Sequence, residues 1–367
     1  MKGDLEKIAV EAFPRTYAES RETFRALCTQ NGLHQLTWTH PRAKGMEGEA
    51  LTVDVALAGP ASAHRVLVVS SATHGIEGFC GAGVQTALLR GQFHRQLPTG
   101  VKLVLVHALN PYGFSYLRRT NEDNIDLNRN FIDHSLQHPA NEAYDRVHRL
   151  LVPADFHGPQ WQAADKALEA FIAERGWPAL QAAACGGQYD HPDGIFFGGR
   201  YPAWSNTVWR DIIKTVGGKA AYLGGLDFHT GLGPRGKYEL ISGATAGSEE
   251  HALALALFGD NIVFPGISST APASQGHMST SLASILPQTK SALVVAEFGT
   301  VPFDRILEVL RADNWLHVHG DVHSPLGRQI KADMRDAFFC DADDWKIAIV
   351  TQGLDLYHRA VTALAQL

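Results

Sequence analysis

The sequence predicts an α/β fold, a three-layer α/β/α sandwich around a mixed, largely parallel central sheet. Several short runs are apolar throughout, as in strands that are buried on both faces of a sheet, and helical patterns separate them along the chain. Neither an internal repeat nor a Gly/Ser/Pro-rich linker interrupts the 367 residues. We therefore expect one domain over residues 1–367, with a helical and loop insertion at about 135–217 that lines the pocket.

The predicted elements follow one another in alternation. Buried strands are predicted at residues 65–73, 101–109, 223–229 and 291–299, and an alternating strand is predicted at 49–59. Helices are predicted at 17–32, 77–91 and 302–316, and again at the C-terminus. This order is typical of a sheet whose strands are connected by helices across its faces.

Composition and charge exclude several classes of protein. Apolar residues make up 45% and charged residues 19%, as in a folded globular chain, and the net charge of -6 argues against a nucleic-acid surface. The apolar runs have strand length, and the N-terminal segment has no apolar core of a signal peptide. We therefore expect a cytoplasmic protein with neither a membrane nor a nucleic acid as partner. The 4 cysteines are far apart and predict neither a zinc ribbon nor a disulfide framework.

Polar side chains stand at the carboxyl ends of the predicted buried strands. His74, Asn110, His229 and Glu297 each lie at or just after such an end. In open α/β sheets, ligands bind outside the carboxyl ends of the strands. The sequence therefore predicts a single site at this edge of the sheet.

Three of these residues have the chemistry of a zinc site. His74 and Glu77 share a strand-to-helix turn, and His229 offers a third ligand; catalytic zinc typically uses three such protein ligands and a water. Taken separately, a turn histidine, a helix N-terminal acid and a buried core histidine are ordinary structural residues. Glu297, at the end of an apolar strand, needs either a cation to pair with or a chemical task such as general base.

Residues 110–131 carry a dense group of polar side chains: Arg118, Arg119, Asp126, Asn128 and Arg129. The planar guanidinium fork suits carboxylates and oxyanions. A solvated loop with surface arginines is the structural alternative.

Five motifs occur in the order found in a known superfamily. They are HGIE at 74–77, NPYGF…LRR at 110–119, DLNRNF at 126–131, DFHTG at 227–231 and AEFGT at 296–300. Together they resemble the zinc carboxypeptidase superfamily (M14, carboxypeptidase A-like), and within it most resemble the carboxypeptidase-like DUF2817 family. The resemblance extends over nearly the whole chain.

The resemblance implies a metallocarboxypeptidase-like zinc hydrolase that cleaves a peptide or other amide bond next to a free carboxylate. It implies one Zn²⁺ per chain, with His74, Glu77 and His229 as ligands. It further implies that Glu297 acts as general base and then as acid, and that Arg118 stabilises the oxyanion.

The remaining implied roles concern the substrate and the ligand geometry. Asp126 resembles the acid that orients a ligand histidine. Asn128 and Arg129 resemble the clamp for the terminal carboxylate, and Arg119 is assigned to the substrate as well.

One departure from the superfamily leaves the substrate open. Carboxypeptidases of this kind carry a tyrosine on a mobile loop before the catalytic glutamate, and residues 269–282 contain none. One alternative is a hydrolase of small N-acyl amino acids, of the aspartoacylase or succinylglutamate desuccinylase type. Another is a non-catalytic protein that keeps the fold and the metal.

Residues 185–200 and 230–245 are expected to supply the pocket wall that selects the substrate side chain. Within them, five residues are either substrate contacts or ordinary solvated loop residues: Tyr189, Asp190, Arg200, Arg235 and Lys237. The segment GLGPRG at 231–236 formally matches a dinucleotide-binding motif. Pro234 interrupts it and no helix pattern follows, so we assign it to a loop beside the metal.

Overall fold

The prediction of an α/β sandwich is confirmed by the computed structural model, which describes residues 2–367. Its strands are β1 (His34–Lys44), β2 (Ala50–Ala58), β3 (Arg65–Ser70), β4 (Val101–His107), β5 (Tyr222–Arg235), β6 (Tyr238–Ser242), β7 (Ile262–Val263) and β8 (Lys290–Gly299). Its helices are α1 (Lys2–Glu11), α2 (Tyr17–Gln30), α3 (Gly78–Arg90), α4 (Pro111–Ser115), α5 (Leu127–Asn130), α6 (Glu142–Leu151), α7 (Pro159–Arg175), α8 (Trp177–Cys185), α9 (Trp204–Gly217), α10 (Glu249–Phe258), α11 (Leu282–Ile285), α12 (Phe303–His319), α13 (Pro325–Phe338) and α14 (Asp343–Gln366).

The strands form one mixed sheet in the order β1-β2-β4-β3-β5-β8-β6-β7. Strands β4, β3, β5 and β8 at its centre are mutually parallel, whereas β1, β2 and β6 pair antiparallel with β2, β4 and β8. The carboxyl ends of the four parallel strands therefore meet at one edge of the sheet, as the sequence analysis expects of a ligand site.

Helices cover both faces of this sheet. Side chains on a strand point alternately to opposite faces, and on β3 Leu67 and Val69 join one apolar core while Val66 and Val68 join the other. The first core includes α3 and α14, and the second includes Trp209 of α9. These two cores on opposite faces are the reason why both faces of the central strands carry mostly apolar residues.

The structure also contains strands that the sequence analysis did not predict. Strand β1 lies at one edge of the sheet, is mostly exposed and contains Pro41, so it lacks the pattern of a buried strand. Strands β6 and β7 at the other edge are short. Strand β5 continues to Arg235, beyond the predicted end at His229, because it pairs with β8 as far as Gly299.

Helices α6 to α9 occupy most of the segment that was predicted as an insertion. The longest helix is α14, with 24 residues, and it packs against the sheet and α3. Within residues 2–367, no helix combines the length and the apolar character needed to cross a membrane.

Candidate metal and substrate site

The turn after β3 places His74 and Glu77 at the edge of the sheet. Ala72 adopts a left-handed backbone conformation, with φ of 59°, and reverses the chain just before His74. Backbone hydrogen bonds from Gly75 and Ile76 to the carbonyls of Arg119 and Arg118 hold the turn against the next loop. A Cβ on Gly75 would lie 2.0 Å from the backbone of Gly113, so this close approach requires glycine.

The three predicted metal ligands converge at this edge. His74 Nδ1 lies 2.9 Å from Glu77 Oε1, and His229 Nδ1 lies 2.9 Å from Glu77 Oε2. The two Nδ1 atoms are 3.1 Å apart. All three residues are buried, and their ligand atoms lie within 4.8 Å of one another.

A carboxylate behind each histidine fixes the orientation of its ring. His74 Nε2 lies 3.1 Å from Asp126 Oδ1, and His229 Nε2 lies 2.6 Å from Asp227 Oδ2. Asp227 in turn accepts a hydrogen bond of 2.7 Å from Ser70 Oγ. Such partners favour the tautomer whose other nitrogen, here Nδ1, is free to bind a metal.

The sequence analysis anticipated Asp126 but not Asp227. A signal for Asp227 was nevertheless present, because Asp227 and His229 are two residues apart on one strand and therefore share a face of the sheet.

The ionisable groups of this cluster interact strongly with one another. Burial alone would raise the pKa of Glu77, but the positive charge of His74 and His229 outweighs it and lowers that pKa. Burial opposes protonation of His229, but Asp227 and Glu77 raise its pKa well above the usual range. Two oriented imidazoles and one carboxylate are also the donor set of several catalytic zinc sites, so the residues fit this ion.

Glu297 lies on β8 directly beside His229 of β5 in the parallel register. Its Oε1 accepts a hydrogen bond of 3.0 Å from the backbone N–H of Leu232. Burial and the negative charge of Glu77 raise the pKa of Glu297 to about 7. A carboxyl group with this pKa can both accept and release a proton at neutral pH.

Arg129 is a buried cation at the same pocket. Its Nη1 and Nη2 donate to the carbonyl oxygens of Asn128 and Cys185, at 2.8 and 2.6 Å, and its Nε is buried without a partner. Within residues 2–367, no carboxylate lies within 4 Å of this guanidinium group. A buried arginine that no carboxylate contacts directly can receive a ligand carboxylate.

Asn128 presents hydrogen-bond donors next to Arg129. Its Oδ1 accepts a 3.0 Å hydrogen bond from the backbone N–H of Met278, which fixes the orientation of the amide. The Nδ2 group is therefore left to donate to a ligand, and Asn128 lines the pocket.

These side chains open onto one pocket. Its polar lining comprises His74, Arg119, Asn128, Arg129, His229, His277 and Glu297. Its apolar lining includes Phe196, Leu232, Ile241, Phe303 and Leu310. Three of the four predicted strand ends, at His74, His229 and Glu297, therefore contribute to a single cavity with the loop that carries Arg129. The fourth, Asn110, lies outside it, because its side chain caps α4 by accepting a hydrogen bond from the backbone N–H of Gly113.

The expected place of Arg118 in this site needs correction. The side chain of Arg118 does not line the pocket; its Nε and Nη2 donate to Asp313 and Asn124, at 3.0 and 2.8 Å. Lys331 also contacts Asp313, so this buried cluster joins the Arg118 loop to α12 and α13. Of the two adjacent arginines, Arg119 lines the pocket, with Nε 2.9 Å from Asp126 Oδ2 and Nη1 3.0 Å from Glu77 Oε1.

Replacing Arg118 by methionine should therefore affect stability. Loss of one partner of a buried ion pair typically costs about 3 kcal/mol, so urea unfolding should show a free energy of unfolding lower by about that amount. The folded variant should still bind zinc in the pocket, because Arg118 is not one of the converging ligands. A variant of unchanged stability that had lost its metal would contradict this assignment.

The five residues proposed to select the substrate side chain do not line the pocket in the structure. Tyr189 is buried, and its hydroxyl donates to the carbonyl oxygen of Arg129 at 2.6 Å. Arg235 pairs with Asp344 on the surface at 2.6 Å. The two segments contribute apolar wall instead, through Phe196, Leu232 and Ile241, because their charged side chains are exposed or find partners outside the pocket.

The sequence analysis missed His277, which lines the pocket from the loop before α11. Its Nε2 lies 2.6 Å from Ser274 Oγ. Backbone hydrogen bonds anchor the loop on both sides of it, from Phe131 N to Gly276 O and from Met278 N to Asn128. Burial and the charge of Arg129 lower the pKa of His277 to about 3, so the imidazole is neutral.

Comparison with solved structures identifies the class of fold. The chain resembles the carboxypeptidase A of Helicoverpa armigera with a TM-score of 0.52 and 14% identity, over 96% of this chain and 74% of that one. It is also similar to a metallo-carboxypeptidase from Burkholderia cenocepacia, with 13% identity, 94% and 71% coverage and a TM-score of 0.43. An aspartoacylase family protein from Mesorhizobium loti gives 13% identity, 80% and 68% coverage and a TM-score of 0.38. The match to the carboxypeptidase A, the one of these three with a TM-score above 0.5, shows that the chain has the carboxypeptidase fold.

The chain belongs to the DUF2817 family, described as a protein of unknown function, whose model matches residues 13–352. This confirms the resemblance drawn from the motifs. No protein of curated function matches the sequence.

Proposed function

We propose that this chain is a zinc-dependent hydrolase of the metallocarboxypeptidase type, which cleaves an amide bond next to a free carboxylate. One observation carries the proposal. His74, Glu77 and His229 meet at one pocket. The same pocket contains Glu297, whose pKa is raised to about 7, and the buried guanidinium group of Arg129, which no carboxylate contacts directly. One Zn²⁺ per chain would be held by the first three side chains.

In the proposed reaction, bound zinc would lower the pKa of water and polarise the substrate carbonyl. Glu297 accepts the proton of the attacking water and then delivers it to the leaving amine. Arg119 donates to the developing oxyanion in place of Arg118, because it lies at the pocket next to His74. A well-placed donor of this kind contributes about 3 kcal/mol to transition-state stability.

The substrate carboxylate would bind to Arg129 and Asn128, which both line the pocket. His277, neutral and held by Ser274, would contribute a hydrogen bond to the bound substrate. The Phe196 ring of the apolar wall lies against both arginines, with its centroid 5.1 Å from Cζ of Arg119 and 5.7 Å from Cζ of Arg129. This wall suits a substrate with an uncharged side chain.

We also propose that residues 1–367 form a single domain. Cys185 and Phe196, from the segment at about 135–217, lie on the pocket wall and support this proposal.

Hydrolysis of small N-acyl amino acids is the second candidate function. Arg119 is paired with Asp126 and Glu77, so Arg129 alone among the arginines that line the pocket lacks an acidic partner. One such arginine can bind one substrate carboxylate, and this disfavours an acyl group that carries a second carboxylate. A panel of peptides with free and amidated C-termini, together with N-acyl amino acids, distinguishes the two candidates. Bound zinc without turnover on any member would favour a non-catalytic binding protein, and equal turnover of amidated peptides would overturn the proposal.

Replacement of Arg129 by methionine should act on substrate binding. Truncating one partner of a buried, hydrogen-bonded charge pair costs about 2–5 kcal/mol, so kcat/KM should fall accordingly, mainly through a higher KM. Steady-state kinetics on a peptide with a free C-terminus measures the effect. Arg200→Met is the matched control, because Arg200 is exposed and contacts only the carbonyl oxygen of Asp190. An unchanged KM in Arg129→Met would exclude the carboxylate clamp.

A further inference from the structure

We propose a second metal site, outside the pocket, formed by His148, His191 and Asp193. Each of these residues offers a ligand atom, and the three atoms lie within 4.8 Å of one another. The imidazole rings are stacked, with centroids 3.9 Å apart and planes 23° from parallel. The site would take a divalent transition-metal ion, with Zn²⁺ as the probe of choice.

The spacing of His148 and Asp193 suits a shared ion better than a direct hydrogen bond. His148 Nε2 and Asp193 Oδ1 are 3.7 Å apart, which is too long for a hydrogen bond. Two ligands of one tetrahedral ion, each about 2.0–2.1 Å from it, are roughly 3.4 Å apart. A fourth group is at hand, because Asp145 Oδ1 lies 2.8 Å from His191 Nε2 and can either orient that ring or bind the ion.

The donor types select the class of metal. Two imidazoles with one or two carboxylates match zinc, nickel, cobalt or copper, whereas Mg²⁺ and Ca²⁺ prefer oxygen ligands alone.

The backbone holds these groups in place before any ion binds. Asp145 and His148 are three residues apart on α6, so they lie on one face of a helix. The buried side chain of Gln188 clamps the opposite turn: its Oε1 accepts from the backbone N–H of Asp190 and His191, and its Nε2 donates to the carbonyl of His191. A site ordered in advance loses little entropy on binding.

The segment that carries His191 and Asp193 leads directly to the pocket. The carbonyls of Asp193 and Gly194 accept hydrogen bonds from Asn314 and Asn124, at 2.7 and 2.9 Å. Two residues further on, Phe196 lies against the pocket arginines. An ion at the second site would therefore fix the wall that supports the substrate, independently of the metal in the pocket.

The test is the zinc stoichiometry of the full chain, measured by calorimetric titration and elemental analysis. We expect two ions per wild-type chain and one in His191→Gln and in Asp193→Asn. Loss of a ligand should weaken this binding at least as much as the roughly 10-fold to 100-fold caused by loss of a supporting contact. Asp190→Asn is the matched control, since Asp190 is an exposed acid in the same turn and outside the cluster, and it should bind two.

His229→Gln separates this proposal from the proposed function. It removes a ligand in the pocket, so it should retain one ion, and hydrogen exchange of residues 191–196 should still slow when that ion binds. The proposal is overturned if wild type, His191→Gln and Asp193→Asn bind zinc with the same stoichiometry and affinity. Should His191→Gln fail to fold, Asp193→Asn decides, because Asp193 is an exposed residue.

Discussion

Replacing Glu297 by glutamine is expected to lower kcat by about 100-fold to 10,000-fold, the contribution of a well-placed general acid–base group, while the chain keeps its metal. Glutamine has the same shape and retains the oxygen that accepts the hydrogen bond of Leu232. It cannot accept the proton of water at neutral pH. Because Glu297 is not one of the three converging ligands, the zinc stoichiometry should not change.

The measurement is steady-state turnover together with elemental analysis of the same preparation. Glu239→Gln is the matched control: Glu239 is opposite Glu297 on the neighbouring strand, but its carboxylate binds Ser269 and Thr270 outside the pocket lining. It should retain turnover within a few-fold of wild type. Full turnover in Glu297→Gln would remove the general base from the proposal.

Replacing His229 by glutamine is expected to remove zinc from the pocket and turnover with it. The change deletes one of three ligands and leaves Glu77 with His74 alone. Asp227→Asn gives a graded comparison, because it keeps the ligand but weakens the support of its ring. Loss of such support typically costs about 10-fold to 100-fold in metal affinity.

Competition with a chromophoric chelator measures the zinc affinity of the wild-type protein and of each variant. Ser70→Ala serves as the mild control, because it removes only the hydrogen bond behind Asp227. The order of zinc affinity should be wild type, Ser70→Ala, Asp227→Asn and His229→Gln. If His229→Gln bound pocket zinc as tightly as wild type, the three-ligand site would be wrong.

The fold was predictable because burial restricts which residues its central strands can contain. Strands β3, β4, β5 and β8 are buried on both faces, so the residues along their middle are mostly apolar, and this pattern is visible without coordinates. Edge strands are under no such requirement. Strand β1 exposes most of its residues and therefore was not predicted.

The candidate site was predictable to the extent that its residues follow strand ends or sit in recognisable motifs. The ligands, Asp126, Asn128, Arg129 and Glu297 were all named from the sequence. The choice between Arg118 and Arg119 was not available there, because adjacent residues differ only in where the loop directs them.

By itself, the sequence determined the class of fold and the edge of the sheet at which a site would form, because strand periodicity and burial are local properties of the chain. Only the tertiary structure decided which guanidinium group faces the pocket, that Asp227 supports His229, and that His277 closes in from a distant loop. It alone also brought His148 of α6 next to His191. These relations depend on distances between segments far apart in sequence, which are set by packing of the whole chain.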